Sequence, residues 1–180
     1  MTLLILGHPD IENSIANKTI IGELEAGSPE IEIRNLSALY PDFRIDMKAE
    51  QEALLRHQHI VFQYPLYWYN MPAILKHWFD VVFTYQFAYG SEGDKLKGKS
   101  FIPSFTVGAP ESEYHTLGEH HFRICEFCKN LEQTAYYTQM NYKDALYFHG
   151  TSVDAGYTEE DIKNKAKAQG KKLTELLSSI

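Results

Sequence analysis

Two hydrophobic rhythms alternate along this chain. Thr2 to Leu6 is a continuous apolar run, as expected for a strand buried on both faces. Gly7-His8-Pro9 breaks it, and a helix is predicted from Asn13 or Ser14, either of which can cap it, to about Glu25. Gly27-Ser28-Pro29 reads as a turn, and Glu30 to Arg34, with Ile31 and Ile33 apolar, as a second strand. Leu36 to Asp46 reads as a loop, and Met47 to His57 as a helix with Leu54 and Leu55 inward. A third strand spans Ile60 to Tyr64; Pro65 ends it, because proline supplies no N–H to a ladder. Pro72 suits a first helical turn, and Ala73 to Phe83 is a predicted helix. Ser91 to Gly98 is a polar surface connection. Lys99 to Val107 is the fourth strand, in which Pro103 has to sit where a missing donor is tolerated. A helix is predicted from about Leu117 or Glu119 to Leu131, with continuation toward Tyr137 left open. Ala145 to His149 is a short fifth strand. Thr158 to Ser178 is a last helix, whose first-turn Glu159-Glu160-Asp161 suits the helix dipole.

Strands alternating with helices imply an α/β fold with a doubly wound parallel sheet. Five strands fit a flavodoxin-like three-layer sandwich of order 2-1-3-4-5, one domain over residues 1–180. In that order the loops after strands one, three and four converge at the carboxyl edge, and an FMN site lies at the switch point between strands one and three. The first loop leads into a helix N-terminus, where free N–H groups and the dipole favour a phosphate; Ser14 and Asn17 are side-chain donors, and His8 adds a donor or a charge. A turn and a capped helix explain the same residues equally well, and neither a Walker loop nor G-x-G-x-x-G is present. The third loop, Pro65-Leu66-Tyr67-Trp68, offers rings to pack on a flat heterocycle and N–H groups for its edge. Eleven residues from Phe62 to Tyr89 are aromatic, which a dense core also explains. The fourth loop, Thr106-Val107-Gly108-Ala109, has small residues that let backbone approach a ring, although Gly108 also suits a plain turn. Tyr114 and His120, six apart, are candidate donors to a reduced ring or a carbonyl substrate.

The formal charge of −7 argues against a nucleic-acid partner and offers no basic patch for a membrane. No apolar run is long enough to span a bilayer, and the first residues lack the basic flank of a signal peptide, so a cytoplasmic protein is expected. Cys125 and Cys128 form C-x-x-C, but inside the helix predicted from His121 to Leu131 rather than at a helix start, so reduced, packed thiols are expected. His115, His120 and His121 have no carboxylate or thiol at a ligand spacing, so no metal is expected, and His115 and His121 are assigned to the surface.

Three segments together carry a resemblance: Gly7-His8-Pro9 with Asn13-Ser14 and Ala16-Asn17; the long stretch from Phe62 to Phe83; and Thr106-Val107-Gly108 with Tyr114 and His120. The chain resembles the flavodoxin-like NAD(P)H:quinone oxidoreductases over about residues 3 to 177. The stretch Leu39 to Asp46, followed by Glu50 to Leu54, is most similar to the branch of ancillary subunits of glutathione-gated potassium efflux systems. The resemblance implies a tightly held flavin. By position, His8, Ser14, Ile15, Ala16 and Asn17 would hold its phosphate, and Pro65, Leu66, Tyr67, Trp68, Thr106, Val107, Gly108 and Ala109 its ring. Tyr114 and His120 match a tyrosine and a histidine that family members use beside the flavin. The implied reaction is ping-pong: NAD(P)H reduces the flavin and leaves, and a quinone takes its place. A homodimer is implied, with exposed aromatics near Phe87 and Tyr89 closing the partner's site.

Two departures stand out. Where the family pattern is Thr-Thr-Gly-Gly, this chain has Thr106-Val107-Gly108-Ala109-Pro110, and Pro110 removes one potential donor. The chain is also shorter than the mammalian enzymes, which favours FMN over FAD. The main competing reading is a regulatory subunit peripheral to a membrane potassium–proton antiporter at its inner face. An azo-dye reductase or a small electron carrier would use the same fold, and fold alone does not choose among them.

Overall fold

The computed structural model describes residues 1–27 and 30–180; the turn expected at Gly27-Ser28-Pro29 falls partly on Ser28 and Pro29, outside the described residues. The strands are β1 (Thr2–Leu6), β2 (Ile31–Asn35), β3 (His59–Pro65), β4 (Ser100–Val107), β5 (Asn141–Tyr142) and β6 (Leu146–His149). They form one parallel sheet in the order β2-β1-β3-β4-β5, with β6 also paired to β4. The helices are α1 (Ile15–Gly27), α2 (Leu36–Leu39), α3 (Met47–Arg56), α4 (Ala73–Val82), α5 (Ile124–Phe127), α6 (Lys129–Tyr137) and α7 (Glu159–Ser179). The predicted strand order is therefore the observed one.

Alternate strand residues feed two cores. Leu4, Leu6, Val61 and Ile102 pack with Ile20 and Leu24 of α1 and Ala166 and Leu173 of α7. Leu3, Ile5, Phe62 and Phe101 face the opposite way, toward Ala53 and Leu54 of α3, Trp78 and Phe79 of α4, and Leu131 of α6. On α3 the inward face is Glu50, Ala53 and Leu54; Leu55, expected inside, is exposed, one residue and about 100° round the helix. Buried Glu50 accepts hydrogen bonds from Arg34, Tyr40 and Trp78, tying β2, the 40–46 loop and α4 to α3.

Three differences from the sequence-based expectation have physical causes. The loop from Leu36 opens with the short helix α2, because the Asn35 side-chain oxygen Oδ1 accepts the Ala38 N–H at 3.4 Å. The fifth strand position is occupied by two strands. Phe101 O accepts from Lys143 and Val107 O from Thr151, so odd-numbered β4 residues point toward the β5–β6 edge. Pro103 is one of these, and the edge strand is interrupted opposite it, where no N–H is available. The helix predicted from Leu117 or Glu119 begins only at Ile124. A Cβ on Gly118 would meet the Glu113 carbonyl oxygen at 2.3 Å, and His121 has φ 57°, so this stretch folds as tight turns. Glu126 then accepts the Arg123 N–H at 2.7 Å and starts α5. Cys128 falls at the junction of α5 and α6, buried, its thiol pushed up to about 11 by burial; Cys125 is exposed.

Candidate functional site

β1 ends in Leu6, and the chain turns away at Gly7, where a Cβ would come within 2.6 Å of the Leu75 side chain. His8 follows, only 6% exposed. Its Nδ1 accepts the Asp10 N–H at 3.0 Å, so the neutral ring carries its hydrogen on Nε2. Burial lowers its pKa, and the Asp10 charge opposes that shift. Ser14, not Asn13, caps α1: its Oγ accepts from the backbone N–H of Asn17 at 3.2 Å and from Asn17 Nδ2 at 3.1 Å. Among the described residues the Ser14 hydroxyl hydrogen has no acceptor, so it remains available. The first turn of α1 has no acidic residue to compete for its N–H groups.

Asn17 joins this loop to the sheet. Its Nδ2 donates to Thr106 Oγ1 at 3.3 Å, and its Oδ1 accepts from Gln63 Nε2 at 2.8 Å. Ser14, Asn17, Gln63 and Thr106 thus lock α1, β3 and β4 together where the three strands deliver their loops. Gln63 Oε1 is buried without a partner among the described residues.

A cavity of about 510 Å³ opens above this network. Of the expected residues it is lined by His8, Ser14, Ile15, Ala16, Asn17, Pro65, Leu66, Tyr67, Thr106 and Gly108. The sequence reading missed Asp10, Asn13, Thr151, Ser152 and Val153, which also line it. The last three follow β6, and the topology was the available signal: a loop after a fifth parallel strand opens on the same edge. Three expected residues contribute no wall. Trp68 is 91% exposed, the Val107 side chain is buried in the core, and the Ala109 carbonyl is turned to Gly150 N–H and the His149 ring.

Tyr67 and Asn70 each donate an N–H to the other's carbonyl, closing a two-residue turn with Trp68 at φ 47° and Tyr69 at φ 64°. Consecutive positive φ values suit Asn-Gly; for other residues each costs about 1–2 kcal/mol. Tyr114 and His120 do meet as a pair, stacked with ring centroids 4.2 Å apart, but outside the cavity lining. Burial and the nearby Tyr69 hydroxyl raise the Tyr114 pKa, so its O–H stays protonated. His149, on β6, lies 5.1 Å from the Tyr114 ring, and burial lowers its pKa. His115 and His121 are exposed, as expected. Phe87 and Tyr89 are half-buried and pack on the chain's own core, Tyr85 beside them is 63% exposed, and Tyr89 lines a separate hollow of about 470 Å³ between α4 and α6.

A family model described as a flavodoxin-like fold matches residues 1–173. A Bacillus subtilis protein named as an uncharacterized NAD(P)H oxidoreductase, YrkL, is 41% identical over 166 residues, 92% of this chain and 93% of the relative. The glutathione-regulated potassium-efflux system ancillary protein KefG of Erwinia tasmaniensis is 35% identical over 168 residues, 93% of this chain and 89% of the relative. Among solved structures, the general stress protein 14 of Treponema denticola, crystallised in complex with FMN, superposes with a TM-score of 0.88 at 32% identity, covering 99% of this chain and 98% of that one.

Proposed function

Because this chain belongs to the family with the flavodoxin-like fold, we propose that it is an FMN-dependent NAD(P)H oxidoreductase whose electron acceptor is a quinone. The observation that carries this is the cavity at the carboxyl edge, with a helix N-terminus and two donor side chains, His8 and Ser14, at one end and apolar loop residues at the other. The residues present fit the cofactor. A phosphate group suits the α1 N–H groups, the Ser14 hydroxyl and the His8 Nε2–H. A flat ring suits the gap between Pro65–Tyr67 and Thr106–Gly108, where Gly108 leaves open space.

When bound, FMN supplies two-electron hydride chemistry between a nicotinamide and an acceptor. The chain's own share is binding, orientation and proton supply. Backbone N–H groups of the Thr106 loop orient the ring edge, without help from Pro110, which has none. Thr151 to Val153 close the side next to β6. Tyr114, held protonated, donates a hydrogen bond, and His120 supplies a proton to the reduced acceptor. The nicotinamide and the quinone use one site in turn, in ping-pong order, in a cytoplasmic homodimer.

The test is an absorbance spectrum of the purified protein, before and after anaerobic NADPH or NADH and then a quinone. Flavin bands that bleach and return establish the reaction, and heat-released FMN identifies the cofactor. A protein that neither contains flavin nor rebinds it is not this enzyme. The likeness to KefG favours a second reading, in which the chain docks on a potassium efflux transporter. Co-purification with such a transporter, from a variant that has lost flavin, supports it.

A further inference from the structure

The turn after β3 places two aromatic residues where backbone geometry alone would prefer Asn-Gly. Tyr69 is the one that touches the proposed chemistry. Its ring stacks on Phe127 at 5.1 Å and meets His120 edge-on at 5.7 Å. Its hydroxyl lies 3.2 Å from His120 Nδ1. Tyr114 covers the face of the same imidazole at 4.2 Å. His120 is therefore held by two tyrosines, one over its face and one at Nδ1, and its Nε2 has no partner among the described residues.

We propose that Tyr69 is a positioning residue for His120: its hydroxyl occupies Nδ1, so that Nε2 is the nitrogen that exchanges a proton with the acceptor. This rests on the function proposed above. A quinone becomes a quinol by taking up two electrons and two protons. One proton arrives with the hydride, and the other has to come from a separate donor. Here the imidazolium breaks its Nε2–H bond, the proton joins a quinone oxygen, and the neutral ring keeps its hydrogen on Nδ1, donated to Tyr69 Oη. When the neutral ring instead carries its hydrogen on Nε2, the Tyr69 O–H donates to Nδ1. A hydroxyl both donates and accepts, so one geometry serves both forms; a phenyl ring serves neither.

Tyr69→Phe keeps the stack on Phe127 and removes only the hydroxyl, so the fold is retained. The first readout is ¹⁵N NMR of histidine-labelled protein, with the His120 signal identified by its loss in His120→Gln. In the wild type the shift and pH dependence of Nδ1 should report an engaged nitrogen, and in Tyr69→Phe the balance of ring tautomers should change. An unchanged balance overturns the proposal whether or not flavin is bound. The second readout is kinetic. Tyr69→Phe should lower kcat for quinone about tenfold, less than the roughly 100-fold expected on loss of the proton donor itself. It should leave FMN affinity and the rate of flavin bleaching by NAD(P)H unchanged. Combined with His120→Gln it should slow turnover no further than His120→Gln alone. If His120→Gln is slow and Tyr69→Phe is as fast as wild type, or if the two losses multiply, Tyr69 does not act through His120. If His120→Gln is itself fast, the role given to His120 fails instead.

Discussion

The two sides of the site are held by different means. On the β1 side, Ser14, Asn17, Gln63 and Thr106 hydrogen-bond across α1, β3 and β4, at the ends of strands that are buried on both faces. The parallel sheet sets Gln63 and Thr106 on neighbouring strands, and α1 packed on that sheet carries Asn17 and its cap Ser14 to them. On the other side, Tyr69, Tyr114, His120 and His149 sit on turns and an edge strand, and what joins them is ring packing. The first arrangement is suited to holding an anion without rearranging. The second consists of rings that can donate or accept protons and that one substitution can detach. Binding and chemistry should therefore be separable by mutation.

The largest effect is expected at Asn17. Asn17→Leu leaves partners of Ser14, Gln63 and Thr106 unpaired in a buried place, at a cost of about 1–3 kcal/mol in stability. Beyond that loss, Ser14 is no longer held by Asn17 Nδ2, so the hydroxyl has to be ordered on binding and the Kd for FMN should rise by about 10- to 100-fold. Calorimetric titration with FMN checks it; an unchanged Kd in a folded variant would show that the network does not serve the cavity. His120→Ala should do the opposite. The kcat for quinone falls about 100-fold while FMN binding stays within about twofold of wild type. Stopped-flow traces of the two half-reactions separate these, and an equal loss in both would merge the two regions into one.

The same contrast explains what was legible in the sequence. Ser14, Asn17 and Thr106 could be named as neighbours because strand periodicity, the break at Gly7 and the cap at Ser14 fix that loop locally, and the topology then brings Thr106 beside it; Gln63, a polar residue in an apolar strand, was not singled out. Residues 117–123 were misread as the first turns of a long helix, which begins only at Ile124. Periodicity does not register that Gly118 lies against the Glu113 carbonyl, nor that His121 adopts a positive φ. Thr151 to Val153 were missed although the strand ahead of them was expected at Ala145 to His149: their residue types carry no motif, and only the parallel topology brings that loop to the same edge. Trp68 is an instructive intermediate. Its loop was placed correctly, but the left-handed turn swings its ring out of the cavity, which no hydropathy pattern encodes.

That placement makes a smaller prediction. An indole 91% exposed in the single chain contributes little area to the cavity, so Trp68→Ala should change the FMN Kd by about threefold or less. A loss as large as that of Asn17→Leu would mean that the ring is covered by something beyond this chain, and sedimentation of the variant would show whether a dimer had been lost.

The smallest effect sets one histidine from each region against the other. Burial lowers the pKa of both His8 and His149 below the ordinary 6.5. The unfolded chain then binds more protons than the folded one as pH falls through 6.5. Stability is full above that value and declines on acidification toward the folded pKa. His59 is lowered as well and leaves a residual slope in either variant. Between pH 7.5 and 5.5, His8→Gln and His149→Gln should each reduce the drop in the Tm of the flavin-free protein. Bound FMN should divide the pair. A phosphate beside His8 favours its imidazolium and offsets the burial, so FMN flattens the His8 contribution and leaves that of His149 in place. Melting curves against pH, with and without FMN, decide the matter. If FMN flattens the His149 contribution equally, the phosphate does not distinguish the two histidines, and the division between an anion cradle and a cluster of proton-moving rings fails.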